Sequence, residues 1–271
     1  MSFNVKTLAA VGALIGTLAL AGCDQKEKDP NHIKVGVIVG SEQQVAEVAA
    51  KVAKDKYGLN VELVTFNDYV LPNEALSKGD IDVNAFQHKP YLDQQIKDRG
   101  YKLVSVGSTF VYPIAGYSKK IKTLDELQNG AQVAIPNDPT NLGRSLLLLQ
   151  KVGLIKLKDG TGLLPTSLDV VENPKNLKLV ELEAPQLPRS LDDQQIALAV
   201  INTTYASQIN LTPAKDGIFV EDKNSPYVNL IVAREDNKDA ENVKKFVQAY
   251  QSDEVNDAAN KVFNGGAVKG W

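Results

Sequence analysis

Gly79-Asp-Ile-Asp-Val-Asn-Ala-Phe-Gln-His-Lys-Pro-Tyr91 is a short alternating strand that runs into a loop crowded with aromatic and hydrogen-bonding side chains. In α/β proteins, strand ends and helix N-termini converge at such loops and leave a crevice, so the segment reads as one wall of a pocket. The strand is predicted over 81–85. Pro90 suits the first turn of a following helix, where its missing N–H costs nothing.

The same alternation continues on both sides of this stretch. Towards the N-terminus, β-rich runs at 33–39 and 61–66 are interleaved with amphipathic runs at 42–57 and 72–78; towards the C-terminus a further strand falls at 103–106. That is α/β order. The pattern breaks at Phe110-Val-Tyr-Pro-Ile-Ala-Gly-Tyr117, an extended run containing a proline, after which Thr123-Leu-Asp-Glu126 has the spacing of a capping box for a new helix. A second unit then carries strands at 132–135, 178–182 and 196–201 and a helix at 141–152. Asp222-Lys-Asn-Ser-Pro-Tyr-Val-Asn229 reads as a return crossing, followed by a strand at 230–233 and helices between about 240 and 263.

About 240 ordered residues favour two lobes over one. The expected organisation is an α/β, two-lobed fold in which each lobe is a sheet flanked by helices. Lobe 1 is formed by 32–111 and 227–271 and lobe 2 by 112–226, with crossings near Phe110–Ile114 and Asn224–Asn229. No repeat of fixed period is present.

The first residues carry one positive charge, Lys6, followed by the apolar run Leu8 to Ala21. This run is short for a membrane span, and residues 1–22 read as a secretory signal peptide. Leu20-Ala21-Gly22-Cys23 matches a bacterial lipobox, in which Cys23 becomes the lipid-bearing N-terminus. Cys23 is the only cysteine, so an internal disulfide is excluded and the fold must rest on its core. Residues 23–31 are charged and lack apolar side chains after Cys23, and read as a lipidated, disordered tether. Asp24, directly after the cysteine, resembles the signal that retains lipoproteins at the inner membrane of Gram-negative bacteria. Without residues 1–22 the chain has 29 basic and 33 acidic side chains, a net charge of −4 that argues against a nucleic-acid partner.

Ile135-Pro-Asn-Asp-Pro-Thr-Asn-Leu-Gly-Arg144 leads from a strand end into a helix start, where free amides and the helix dipole favour an anion. Arg144 adds a planar fork suited to a carboxylate, at roughly 1.5–3 kcal/mol per charged hydrogen bond. A phosphate cradle is not supported, because Gly143 stands alone. The alternative for Arg144 is a surface salt bridge. His88, beside Phe86 and Tyr91, reads either as a pocket liner, as a base or as a hydrogen-bonded structural residue. With His32 the only other histidine, a transition-metal site lacks its usual set of converging ligands. Gly-x-Ser-x-Gly is absent and Ser145 has no evident base. Phe66, Tyr69, Phe86 and Tyr91 sit at or beyond strand ends, where aromatic side chains bury an apolar ligand group or pack between lobes; for Phe66 packing is the better reading. Asn202 and Asn229 each follow an apolar strand and offer an amide that can donate to a carboxylate and accept from an ammonium, or serve a turn.

The lipobox, Val35-Gly-Val-Ile-Val39, Ala85-Phe-Gln-His-Lys-Pro-Tyr91 and Pro136-Asn-Asp-Pro-Thr-Asn-Leu-Gly-Arg144 together resemble the NlpA family of lipoproteins, over a match that runs from the signal peptide to Trp271. The resemblance implies a periplasmic substrate-binding protein, not an enzyme, that hands D- and L-methionine to the permease and ATPase of an inner-membrane ABC importer. It also implies a monomer that needs no cofactor and is held to the periplasmic face of the membrane by the lipid on Cys23. By residue, it implies Tyr69, Phe86, His88 and Tyr91 around the thioether, Arg144 on the carboxylate and Asn202 and Asn229 on the amino-acid head group, with Asn141 a further contributor. Two rivals stand beside it: the same fold with another amino acid or a short methionine-containing peptide, and an enzyme using His88 with Arg144 or a surface adhesin.

Overall fold

The structure, a computed structural model, describes residues 29–271. The signal peptide, Cys23 and most of the tether lie outside the described residues. The tether's last three residues are ordered: His32 donates its N–H to the Asp29 carbonyl and Asn31 accepts from the Asn60 N–H, which anchors the turn to the first sheet.

In chain order the elements are β1 (His32–Ile38), α1 (Ser41–Tyr57), β2 (Asn60–Phe66), α2 (Leu71–Lys78), β3 (Val83–His88), α3 (Lys89–Arg99) and β4 (Leu103–Val111). The chain then enters a second sheet through β5 (Ala115–Tyr117), β6 (Gln132–Pro136), α4 (Pro139–Lys151), the small hairpin of β7 (Lys156–Leu157) and β8 (Val170–Glu172), and β9 (Lys178–Leu182). It continues with α5 (Leu187–Ser190), β10 (Ile196–Ile201), α6 (Thr203–Gln208), α7 (Pro213–Asp216) and β11 (Phe219–Val220). It returns to the first sheet with β12 (Val228–Arg234), α8 (Glu241–Tyr250), α9 (Asp253–Val262) and β13 (Val268–Lys269).

The first sheet has the order β13-β4-β12-β3-β1-β2 and the second β11-β5-β10-β6-β9. Parallel pairing joins β1 to β2 and β3, while the returning β12 inserts antiparallel between β3 and β4. In the second sheet, β6 pairs parallel with β9 and β10, β5 pairs antiparallel with β10, and β11 closes the edge antiparallel to β5. Buried apolar residues of α1, α8 and α9 cover one face of the first sheet, and Leu76 and Leu92 of α2 and α3 the other. On the second sheet the strand period of two sorts the side chains: Val133, Ile135, Leu198 and Val200 meet α4, whereas Ala134, Ala199 and Ile201 face α5 and α6. This last cluster also includes Ile38, Phe86 and Tyr91 of the first lobe, so the two lobes share apolar packing at the seam.

Two local expectations are corrected. The quoted stretch contains little loop: β3 runs on to His88 and α3 begins at Lys89, because the His88 side chain itself caps the helix by accepting the Tyr91 N–H. Thr123–Glu126 gives only a single 3₁₀ turn at Leu124–Glu126. The chain turns away at Gly130, whose φ of 75° is open to glycine and strained for other residues.

Candidate functional site

The two crossings and the ends of β3, β6, β10 and β12 meet at one narrow cleft. It is lined by Tyr69, Phe86, His88, Tyr91, Arg144, Asn202 and Asn229, so all seven residues singled out above come together, along with Asn141. Phe66 lies outside this lining and packs half-buried beneath it. Gln87, Tyr112, Thr203 and Thr204 also line the cleft and were not foreseen. Thr203 and Thr204 directly follow Asn202 at a strand end, which was the available signal.

The lobe 1 wall is aromatic. Tyr69, Phe86 and Tyr91 form a triangle with ring centroids 5.8, 6.0 and 6.1 Å apart, and Tyr205 meets Tyr69 at 5.0 Å. The Tyr91 hydroxyl donates to the Tyr69 carbonyl at 2.8 Å, which fixes the loop after β2 against the start of α3. Consecutive residues Phe86, Gln87 and His88 all reach the cleft, which plain strand alternation does not allow. A bulge makes it possible: Leu230 pairs with Gln87 and Ile231 with Ala85, leaving Phe86 as the extra residue. Behind it Asn73, Asn84 and Gln87 bond one another's amides in a buried network. Asn229 is adjacent to His88 across the ladder and donates its side-chain amide to the Phe86 carbonyl at 3.1 Å.

The lobe 2 wall is polar. Asp138 caps α4, accepting from the Asn141 N–H and side-chain amide. The helix N-terminus is therefore already occupied by a carboxylate, which corrects the expectation that its free amides would receive an anion. The Asn141 Oδ1 accepts from Asn202 Nδ2 at 2.8 Å and stands 3.3 Å from His88 Nε2. Since His88 Nδ1 accepts from the Tyr91 N–H, Nε2 carries the hydrogen and donates across the cleft to Asn141. Burial, and secondarily the nearby Arg144 charge, push His88 down to about 3, so the ring is neutral at ordinary pH. Both its nitrogens are engaged, which makes it a lobe-bridging liner.

Arg144 lies in the second turn of α4 and is 4% exposed. Its Nε and Nη2 bond the two Glu221 oxygens at 2.9 and 2.5 Å, Nη2 also donates to the Tyr112 carbonyl at 3.0 Å, and the guanidinium stacks 4.4 Å above Tyr227. The salt-bridge alternative thus exists, but buried and bidentate. Nη1 makes no hydrogen bond among the described residues. Gly143 has no phosphate role: a Cβ there would sit 2.4 Å from the Leu163 carbonyl, so the position lets the 163–165 segment cross α4. Two polar atoms of the lining residues are buried without a hydrogen-bond partner, Asn202 Oδ1 and the Tyr112 hydroxyl.

Two α/β lobes joined by paired crossings around an aromatic and amide-lined cleft define a binding protein of the periplasmic-binding-protein class. The family model for NlpA lipoprotein matches residues 33–271, and the chain belongs to that family. It is 90% identical over 271 residues, all of both chains, to the D-methionine-binding lipoprotein MetQ of Salmonella typhimurium. Among solved structures, the methionine-binding protein MetQ matches with a TM-score of 0.89 at 92% identity, over 90% of this chain and 99% of that one. A nutrient-binding protein from Burkholderia cenocepacia bound to methionine matches with a TM-score of 0.86 at 54% identity, over 88% and 100%. An ABC transporter periplasmic substrate-binding protein from Coxiella burnetii matches with a TM-score of 0.84 at 51% identity, over 88% and 99%. Family members are substrate-binding proteins, not enzymes.

Proposed function

We propose that the chain captures methionine, in its L and D forms, between lobe 1 (32–111 and 227–271) and lobe 2 (112–226), and delivers it to the permease and ATPase of an ABC importer. The observation that carries this reading is the pairing, within one cleft, of the Tyr69–Phe86–Tyr91 triangle with Arg144 Nη1 and the orphaned Asn202 Oδ1. The thioether rests against aromatic edges, which contribute roughly 0.3–1.5 kcal/mol beyond burial. The carboxylate takes the free Nη1 of Arg144, while Glu221 holds the guanidinium in place and offsets its charge. The ammonium is received by Asn202 Oδ1 and by Asn229 Oδ1, whose amide nitrogen is already committed to Phe86. His88 and Asn141 meet across the cleft and hold the lobes at the ligand-bound spacing.

Binding is the whole task, and the two crossings act as hinges for closure. In this reading the chain is a monomer anchored through lipid on Cys23 at the periplasmic face of the inner membrane, and it needs no cofactor. The names of the relatives, methionine-binding and lipoprotein among them, support it. Native mass spectrometry of freshly purified protein, followed by calorimetric titration with L- and D-methionine, tests it. A co-purified or titrated methionine at one per chain is expected; a different bound mass, or no heat with either isomer, overturns the cargo.

A further inference from the structure

Glu42 lies in the first turn of α1, at the edge of lobe 1, and is 2% exposed. Its Oε1 accepts from the hydroxyl of Thr204, which belongs to α6 of lobe 2 and lines the cleft. Its Oε2 is buried without a hydrogen-bond partner. The ionisable groups on which a Glu42 charge would act are tyrosines: Tyr69 from the loop after β2, Tyr112 from the first crossing, Tyr205 from α6 and Tyr250 from α8. The charged start of α9 meets the opposite end of α1, where Glu254 pairs with Lys56. A carboxylate here would keep one oxygen unbonded among aromatic rings, whereas a neutral carboxylic acid is far less costly to bury. Around this contact α6 ties the lobes twice more, through Tyr205 to the Asn67 carbonyl at 3.3 Å and Gln208 to the Val39 carbonyl at 3.0 Å.

We propose that Glu42 is a positioning residue for the cleft, protonated when the lobes are closed through Thr204 and ionised when they part, so that ligand capture takes up a proton. The proposal rests on the reading of the cleft as a methionine site. Burial pushes the Glu42 carboxyl from its usual 4.5 up to about 8, with the Thr204 hydrogen bond opposing. A carboxyl raised in the closed state favours closure fully below about 4.5, and that advantage is lost as pH rises to about 8. His88 has the opposite sign, since burial holds it neutral in the closed state, and closing therefore releases a proton below its usual 6.5. The two effects oppose each other below that value, and Glu42 acts alone between 6.5 and about 8.

Calorimetry with L-methionine at pH 7.5, in phosphate and in Tris, reads the proton number from the dependence of the heat on buffer ionisation. Wild-type protein is expected to take up roughly two-thirds of a proton, with affinity falling several-fold from pH 6.5 to 8. Glu42→Gln keeps the acceptor for Thr204 without the charge; it should bind with uptake near zero and an affinity flat over that range. Methionine binding by wild type without proton uptake, or equal uptake by Glu42→Gln, overturns the role of Glu42. Absence of methionine binding by wild type overturns the reading on which the proposal rests, and the proposal with it.

Discussion

The two walls of the cleft are built by different means. Lobe 1 presents rings held by one another and by a single hydroxyl-to-carbonyl bond, with a bulge at Phe86 turning the strand end towards the cleft. Lobe 2 presents an arginine, two asparagines and two threonines on α4 and at the β10–α6 junction: the arginine is held by Glu221, the asparagines pair with each other, and the threonines donate to the Pro113 carbonyl and to Glu42. Apolar contact is broad and discriminates by shape, while charged and amide hydrogen bonds are directional and discriminate by chemical class. On the proposed reading, the rings of lobe 1 select the side chain, while lobe 2, together with Asn229 of lobe 1, selects for an amino acid.

The largest effect is expected at the residues assigned to the amino-acid head group. Arg144→Ala should weaken methionine binding at least tenfold in calorimetry and, because it strands the partly buried Glu221, lower stability by up to about 3 kcal/mol in denaturant unfolding. Equal affinities would remove Arg144 from the site. Asn229→Ala should also cost at least tenfold in affinity, with folding cooperativity retained by circular dichroism. Phe86→Leu tests the aromatic wall: the ratio of methionine to leucine affinity should fall several-fold while binding of the shared head group persists. An unchanged ratio would mean that the aromatic wall does not select. Tyr91→Phe removes only the bond to the Tyr69 carbonyl and should cost about 1 kcal/mol of stability, with a correspondingly small change in affinity.

The lobe 1 wall was the more legible in the sequence, because Tyr69, Phe86, His88 and Tyr91 fall at strand ends within two short α/β units, and period and punctuation place such residues directly. What escaped was the bulge, since alternation assigns Phe86 and Gln87 to opposite faces and nothing local signals an extra residue. On the other wall, Arg144 was legible but Glu221 was not. The pair is 77 residues apart in sequence, and its formation depends on how the second sheet brings β11 beside α4. For the same reason Asp138 displaced the expected anion seat: an aspartate before a proline reads as a turn and a cap equally well, and only the structure commits it to Asn141. Glu42 resembled an ordinary first-turn acid on an amphipathic helix. It is buried and bonded to Thr204 of the other lobe, a contact that no local pattern carries.

The central claim is that one ligand spans both walls, thioether to the rings and head group to Arg144. Met1 is the only methionine in the chain, so a crystal grown with L-selenomethionine places an anomalous selenium signal in the cleft that belongs to the ligand alone. The account predicts selenium within the Tyr69–Phe86–Tyr91 triangle and the ligand carboxylate on Arg144 Nη1. Selenium beside Arg144, or outside the cleft, would contradict it.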